Sequence, residues 1–86
     1  MFSAHILRIF ESINNIELKD LDLHGKNLGY EVGADIARAL ERNTTLTKLD
    51  LNSNRLGEVG GAAVAGALER NTTLTVLNLG GNDLGE

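Results

Sequence analysis

Three side chains in this 86-residue sequence have the types and spacing to act together chemically: Asp22, His24 and Asp50. Asp22 and His24 are two positions apart, so on an extended strand they project from one face. Asp50 joins them only if the chain returns to the same place 28 residues later. A carboxylate pair beside an imidazole can hold a metal ion or relay protons. Against that chemistry, no nucleophile is paired with a base, and a flat strand surface offers no pocket in which to desolvate a reactant. The trio therefore reads as polar residues on a solvated face. No catalytic residue, metal ligand or cofactor is expected, and the chain is not read as an enzyme. His5 reads as a surface or packing residue of a helix.

Two further motifs have similarly plain readings. Gly57-Glu58-Val59-Gly60-Gly61 and Leu79-Gly80-Gly81-Asn82 are rich in glycine but lack the lysine of a phosphate-binding loop, so turns and close packing account for them. Asn43-Thr44-Thr45 and Asn71-Thr72-Thr73 have the form of glycan acceptors. They recur at one interval and directly follow helical patterns, which points to turn chemistry with Asn in the left-handed conformation.

The element that would bring Asp22 and Asp50 together is an internal repeat. Shifting the sequence by 28 positions superposes Leu18, Leu46 and Leu74, then Leu21, Leu49 and Leu77, then Leu23, Leu51 and Leu79. The string Leu40-Glu41-Arg42-Asn43-Thr44-Thr45 returns as Leu68-Glu69-Arg70-Asn71-Thr72-Thr73. A fixed period of this length implies stacked units, each burying its apolar face against its neighbours. The division is an N-terminal cap helix and link over 1–17, repeat 1 over 18–45, repeat 2 over 46–73 and a shortened repeat 3 over 74–86, all in one domain.

Within a repeat the apolar period changes from two to about 3.6. Leu21 and Leu23, Leu49 and Leu51, and Leu77 and Leu79 alternate with polar residues as short strands do. Val32, Ile36, Ala37 and Leu40, then Val64, Ala65 and Leu68, follow helical spacing. Gly29 and Gly57 stand where the chain must bend from strand to helix. Because a helix intervenes between successive strands, the strands must run parallel. Phe2, Ile6, Ile9, Phe10 and Ile13 form one face of the cap helix, with Ser3 as its N-cap and Asn14-Asn15 as its stop.

Leu46-Thr47-Lys48-Leu49-Asp50-Leu51-Asn52-Ser53-Asn54-Arg55-Leu56 matches LxxLxLxxNxL, so the chain resembles the leucine-rich repeat proteins. The 28-residue period and Gly61-Ala62-Ala63-Val64-Ala65-Gly66-Ala67-Leu68 resemble the ribonuclease-inhibitor-like subfamily, which includes the repeats of nucleotide-binding immune receptors. The resemblance implies an α/β leucine-rich repeat solenoid, with short parallel strands on the concave side and helices on the convex side. It also implies that Asn54 and Asn82 form a ladder of hydrogen bonds to turn backbones. Repeat 1 has Lys26 in that column, so the ladder should begin at repeat 2. Fold implies little about chemistry; the subfamily also includes the Ran GTPase activator, and that likeness carries no activity here because none of its functional residues can be placed.

The function expected is recognition of a protein partner of unknown identity by the concave face. Its contact residues would be Asp20, Asp22, His24, Lys48, Asp50, Asn52, Val76 and Asn78, in columns one strand spacing apart. The alternative is a self-assembling fragment or engineered repeat chain. Repeat 3 ends at Gly85-Glu86 before a helix, so Val76, Leu77, Leu79 and Leu84 would form an open end that drives homodimerisation. The formal net charge of -4 lacks the basic stripe of a nucleic-acid binder. No apolar run is long enough to cross a membrane. His5, Arg8 and Glu11 interrupt the apolar N-terminal stretch, so a secretory leader is not expected and a cytoplasmic location is. There is no Cys and hence no disulfide framework.

Overall fold

The computed structural model describes residues 18–84. The cap helix expected within 1–17 lies outside the described residues. Three strands of three residues, β1 (Asp20–Asp22), β2 (Lys48–Asp50) and β3 (Val76–Asn78), alternate with two helices, α1 (Gly29–Arg42) and α2 (Gly57–Leu68). The sheet is parallel with order β1-β2-β3. Asp20 pairs with Lys48 and Lys48 with Val76, so each pairing advances the chain by one repeat. The α/β class and the parallel order follow from the alternation of a two-residue period with a helical one.

A sharp turn joins each strand to its helix. Gly29 and Gly57 adopt φ of 82° and 66°, as a bend made without a Cβ allows. Their N–H groups donate to the carbonyls of Asn54 and Asn82, each one repeat onward, at 2.9 Å. Asn27, Ser53, Arg55 and Asp83 are also left-handed. The left-handed asparagine thus belongs to this turn, at Asn27. Asn43, expected to be left-handed after α1, is instead extended, with φ −76° and ψ 133°. It ends the helix through its side chain, whose Oδ1 accepts the N–H groups of Thr45 and Leu46 at 3.0 and 2.7 Å.

Leucines from the strands and residues from the helices share one core: Leu23, Leu28, Ile36, Ala37, Leu40, Leu46, Leu49, Leu51, Leu56, Val64 and Ala67. Burial is greatest in the middle of the stack. Leu49 is buried, whereas its equivalents Leu21 and Leu77 are half-buried. The helices show the same gradient. Ala37 and Leu40 are buried beneath α2, while their equivalents Ala65 and Leu68 are exposed, because no further helix covers them among the described residues. The helical spacing put Ala65 and Leu68 in the packed face; their place at the edge of the stack takes them out of it. Val64 and Ala67 are the apolar side chains through which α2 enters the core.

Asn54 and Asn82 are fully buried polar residues, and every bond they make is to backbone. The Asn54 amide donates to Leu23 O at 2.8 Å and its oxygen accepts the Lys26 N–H at 2.9 Å, both in repeat 1. The Asn82 amide donates to Leu51 O at 2.8 Å and its oxygen accepts the Asn54 N–H at 2.7 Å. The ladder therefore begins at repeat 2 and reaches back, as Lys26 led us to expect. A second ladder runs through the opposite turns. The Asn71 amide donates to Leu40 O at 2.8 Å and Asn43 O at 3.1 Å. That amide is the group a glycan would need, so turn formation is the use of this motif in the folded chain.

Leu49→Ala or Leu51→Ala removes a side chain with almost no exposure, at about 2–5 kcal/mol. A chain of this size has a total stability on the order of 5 kcal/mol. Asn54→Ala strands at least two buried backbone groups, at about 1–3 kcal/mol each. All three variants should be largely unfolded by circular dichroism at room temperature. Cooperative native-like melts in the leucine variants would show that these strands do not organise the core.

Candidate functional site

The site is the face of the sheet turned away from the helices. Alternation along each strand sends Leu21, Leu49 and Leu77 toward the core and their neighbours outward. The pairing register then stacks the outward residues in columns: Asp20, Lys48 and Val76 in one, Asp22, Asp50 and Asn78 in the next. His24, Asn52 and Gly80 follow at the mouth of the turns. Six of the eight expected contact residues, Asp20, Asp22, Lys48, Asp50, Val76 and Asn78, line one shallow depression of about 300 Å³, with Leu21 and Leu49. The depression is shallow and open to solvent. His24 and Asn52 lie beside the depression.

The turn-proximal residues are held by local hydrogen bonds that repeat along the stack. Asp22 Oδ1 accepts the His24 N–H at 3.0 Å, and Asp50 Oδ1 accepts the Asn52 N–H at 2.9 Å. An aspartate that bonds the backbone two residues on is a self-closing turn. Asn52 extends the frame, its Oδ1 accepting the Gly80 N–H at 2.6 Å. In repeat 1 the imidazole adds a contact, His24 Nδ1 lying 2.8 Å from Asp22 Oδ1. Both side chains are about two-thirds exposed, 64% for His24 and 65% for Asp22, so water screens the pair and its net worth is small.

This contact moves both titrations. The backbone N–H of His24 and then its ring hold Asp22 below the usual carboxylate range. The hydrogen bond to Asp22 and the negative charges of Asp22 and Asp50 raise His24 above the ordinary imidazole value, with Lys26 opposing. One donor atom from each of Asp22, His24 and Asp50 lies within 4.8 Å of the others. The structure thus brings together the trio that the spacing singled out.

The residues assigned to an open end divide into a partly covered pair and an exposed pair. Leu77 and Leu79 are half-buried against the core. Leu84 remains 40% exposed, yet its Cδ2 would lie 2.6 Å from a Cβ at Gly61, so its side chain seats on α2. Leu56 seats on Gly33 of α1 in the same way, one repeat earlier. Val76 is 41% exposed on the sheet face. What the sequence did not reveal is the second asparagine ladder; the recurrence of Asn43 and Asn71 at the repeat interval was its signal.

Among the described residues, no helix is long and apolar enough to cross a membrane. A family model described as a leucine rich repeat matches residues 42–65 and 70–86. No curated protein matches the chain. Among solved structures, Leiomodin-1 Actin-Binding Site 2 is similar, with 31% identity and a TM-score of 0.78. The alignment covers 92% of this chain and 48% of that one, so the chain spans about half the length of its structural neighbour.

Ring-proton NMR offers a direct check on the electrostatics. His24 should titrate above the ordinary imidazole value, and Asp22→Asn should lower its midpoint by removing the charged acceptor. Asp50→Asn should lower it less, because Asp50 acts through space alone. A midpoint unmoved by Asp22→Asn would mean that the 2.8 Å contact is not formed in solution.

Proposed function

We propose, from the premise that the chain is built of leucine-rich repeats, that it is a protein–protein interaction module binding through the concave face of a short solenoid. The observation that carries this reading is the sheet face itself, where Asp20, Asp22, Lys48, Asp50 and Asn78 gather with Val76 in one shallow depression. From repeat 1 to repeat 2 it changes at Asp20 to Lys48 and His24 to Asn52 and keeps an aspartate at 22 and 50. A polar face of this kind, gathered on short strands over a leucine core, is suited to recognition. The 28-residue period, with an α-helix in each return path, supports the ribonuclease-inhibitor-like form of the repeat.

The face also carries a charge gradient. Asp20, Asp22 and Asp50 cluster on β1 and β2 with Lys48 as the one opposing lysine, while β3 presents Val76 and Asn78. A partner that places basic groups over β1 and an apolar group over Val76 would complement it. Three short strands give an area near the small end of specific interfaces, so binding by this chain alone should be weak. Actin is the first partner to test, because the structural neighbour is an actin-binding site.

A second reading is self-association. Among the described residues β3 pairs on one side alone, with β2, and an unpaired edge is a template for another strand. Light scattering separates the readings: a monomer at tens of micromolar removes self-association and leaves recognition standing.

The triple variant with Asp22, Lys48 and Asp50 replaced by Ala should lose actin co-sedimentation with only a small fall in melting temperature, since all three side chains face away from the core and only the turn hydrogen bonds of Asp22 and Asp50 are lost. Changes on the helix side at Glu41 or Arg70 should leave binding intact. The opposite pattern would move the interface to the helices.

A further inference from the structure

We propose that Asp22, His24 and Asp50 bind a divalent transition-metal ion, with zinc the best match to the donor set. Type and spacing in the sequence were not enough to assign this role; the convergence of three donor atoms within 4.8 Å of one another is a fact of the fold. Asp22 and Asp50 are register partners on β1 and β2, and His24 rises from the turn directly after β1.

The backbone that presents the trio is well fixed. Leu23 N–H donates to Asp50 O at 2.8 Å and Gly25 N–H to Asn52 O at 2.9 Å, tying the His24 turn to the second repeat on both sides. Each carboxylate uses Oδ1 to accept a turn N–H, and among the described residues neither Oδ2 has a hydrogen bond to protein. Asp22 already stands beside Nδ1 of His24 at 2.8 Å, so an ion bound to Nδ1 and Asp22 would take the place of this hydrogen bond, with the ring nitrogen deprotonated.

The donor types select the class of ion. One imidazole and two carboxylates suit zinc and its transition-metal neighbours, whereas calcium and magnesium prefer oxygen alone. Ligand atoms about 2.1 Å from a tetrahedral ion stand about 3.4 Å apart, so side chains now within 4.8 Å need close by little more than an ångström. Asp22 and His24 are exposed, and rotation of these two side chains would supply that closure toward the half-buried Asp50. The ion would also cancel a conflict already present, since two carboxylates face each other on neighbouring strands and like charges there are destabilising. Repeat 3 has Asn78 and Gly80 in the matching columns, so the donor set is confined to the β1–β2 step. Three protein ligands on an open surface leave a coordination position for water or for a partner's side chain.

The site can be tested on the whole chain with no partner present, so its result is independent of the recognition reading. Calorimetric titration with zinc chloride should give saturable one-to-one binding that excess magnesium does not displace. His24→Ala and Asp50→Asn should each weaken it by about tenfold or more, with circular dichroism unchanged, and His5→Ala should leave it intact. In the unaltered chain, cobalt(II) should perturb the amide signals of residues 22–24 and 50 first. No saturable binding, binding that His24→Ala leaves unchanged, binding lost with His5→Ala, or cobalt effects centred elsewhere would each overturn the proposal.

Discussion

Everything in this chain depends on one constraint: buried backbone groups in the strand-to-helix turns must be paired, and side chains of the next repeat pair them. A turn that leaves a three-residue strand and bends at Gly29 or Gly57 keeps only part of the backbone ladder to the next repeat, yet it runs close to the core. Asn54 answers this for repeat 1 and Asn82 for repeat 2, each donating to and accepting from backbone one repeat earlier. Each bond would be worth about 1 kcal/mol net if made in water's presence, but leaving the groups unpaired costs more. The asparagines therefore act as register pins. A slip of one repeat against the next would break the sheet and the ladder together.

The repeat interval and the type of each element were legible in the sequence because both are periodic signals. Leucines at every second position and apolar residues at helical spacing mark the same strands and helices in each copy, and Lys26 correctly placed the start of the ladder. Edge effects were less legible. Ala65 and Leu68 have the same spacing as Ala37 and Leu40 but are exposed, since burial in a stack depends on the neighbour and not on the residue. The stop of α1 was misjudged for a related reason. Asn favours both left-handed backbone and side-chain caps, and periodicity does not choose between them; at Asn43 the side chain closes the turn with an extended backbone.

For the sheet face, pattern gave the columns and structure gave the distances. Strand alternation and the 28-residue shift are enough to put Asp20, Lys48 and Val76 in one row, and the pairing agrees. The shallow depression and the His24–Asp22 contact are not in the pattern. They depend on how far each side chain turns from its strand and on the self-closing turns at Asp22 and Asp50, which set the direction of both carboxylates.

These two levels of order explain where chemical variety can be tolerated. The core accepts few changes, because each leucine is shared by neighbouring repeats and each asparagine satisfies a turn that is not its own. The outward positions contribute less to that frame, through turn hydrogen bonds at Asp22, Asp50 and Asn52, so positions such as 20, 48 and 76 are free to differ between strands. Yet the frame still fixes where they stand, at the spacing of neighbouring strands, about 4.8 Å. That distance is short enough for side chains of adjacent repeats to meet around one ion or one partner group. An array of near-identical units can thereby present a different chemistry at each step, acidic with an imidazole between β1 and β2, and apolar with an amide at β3.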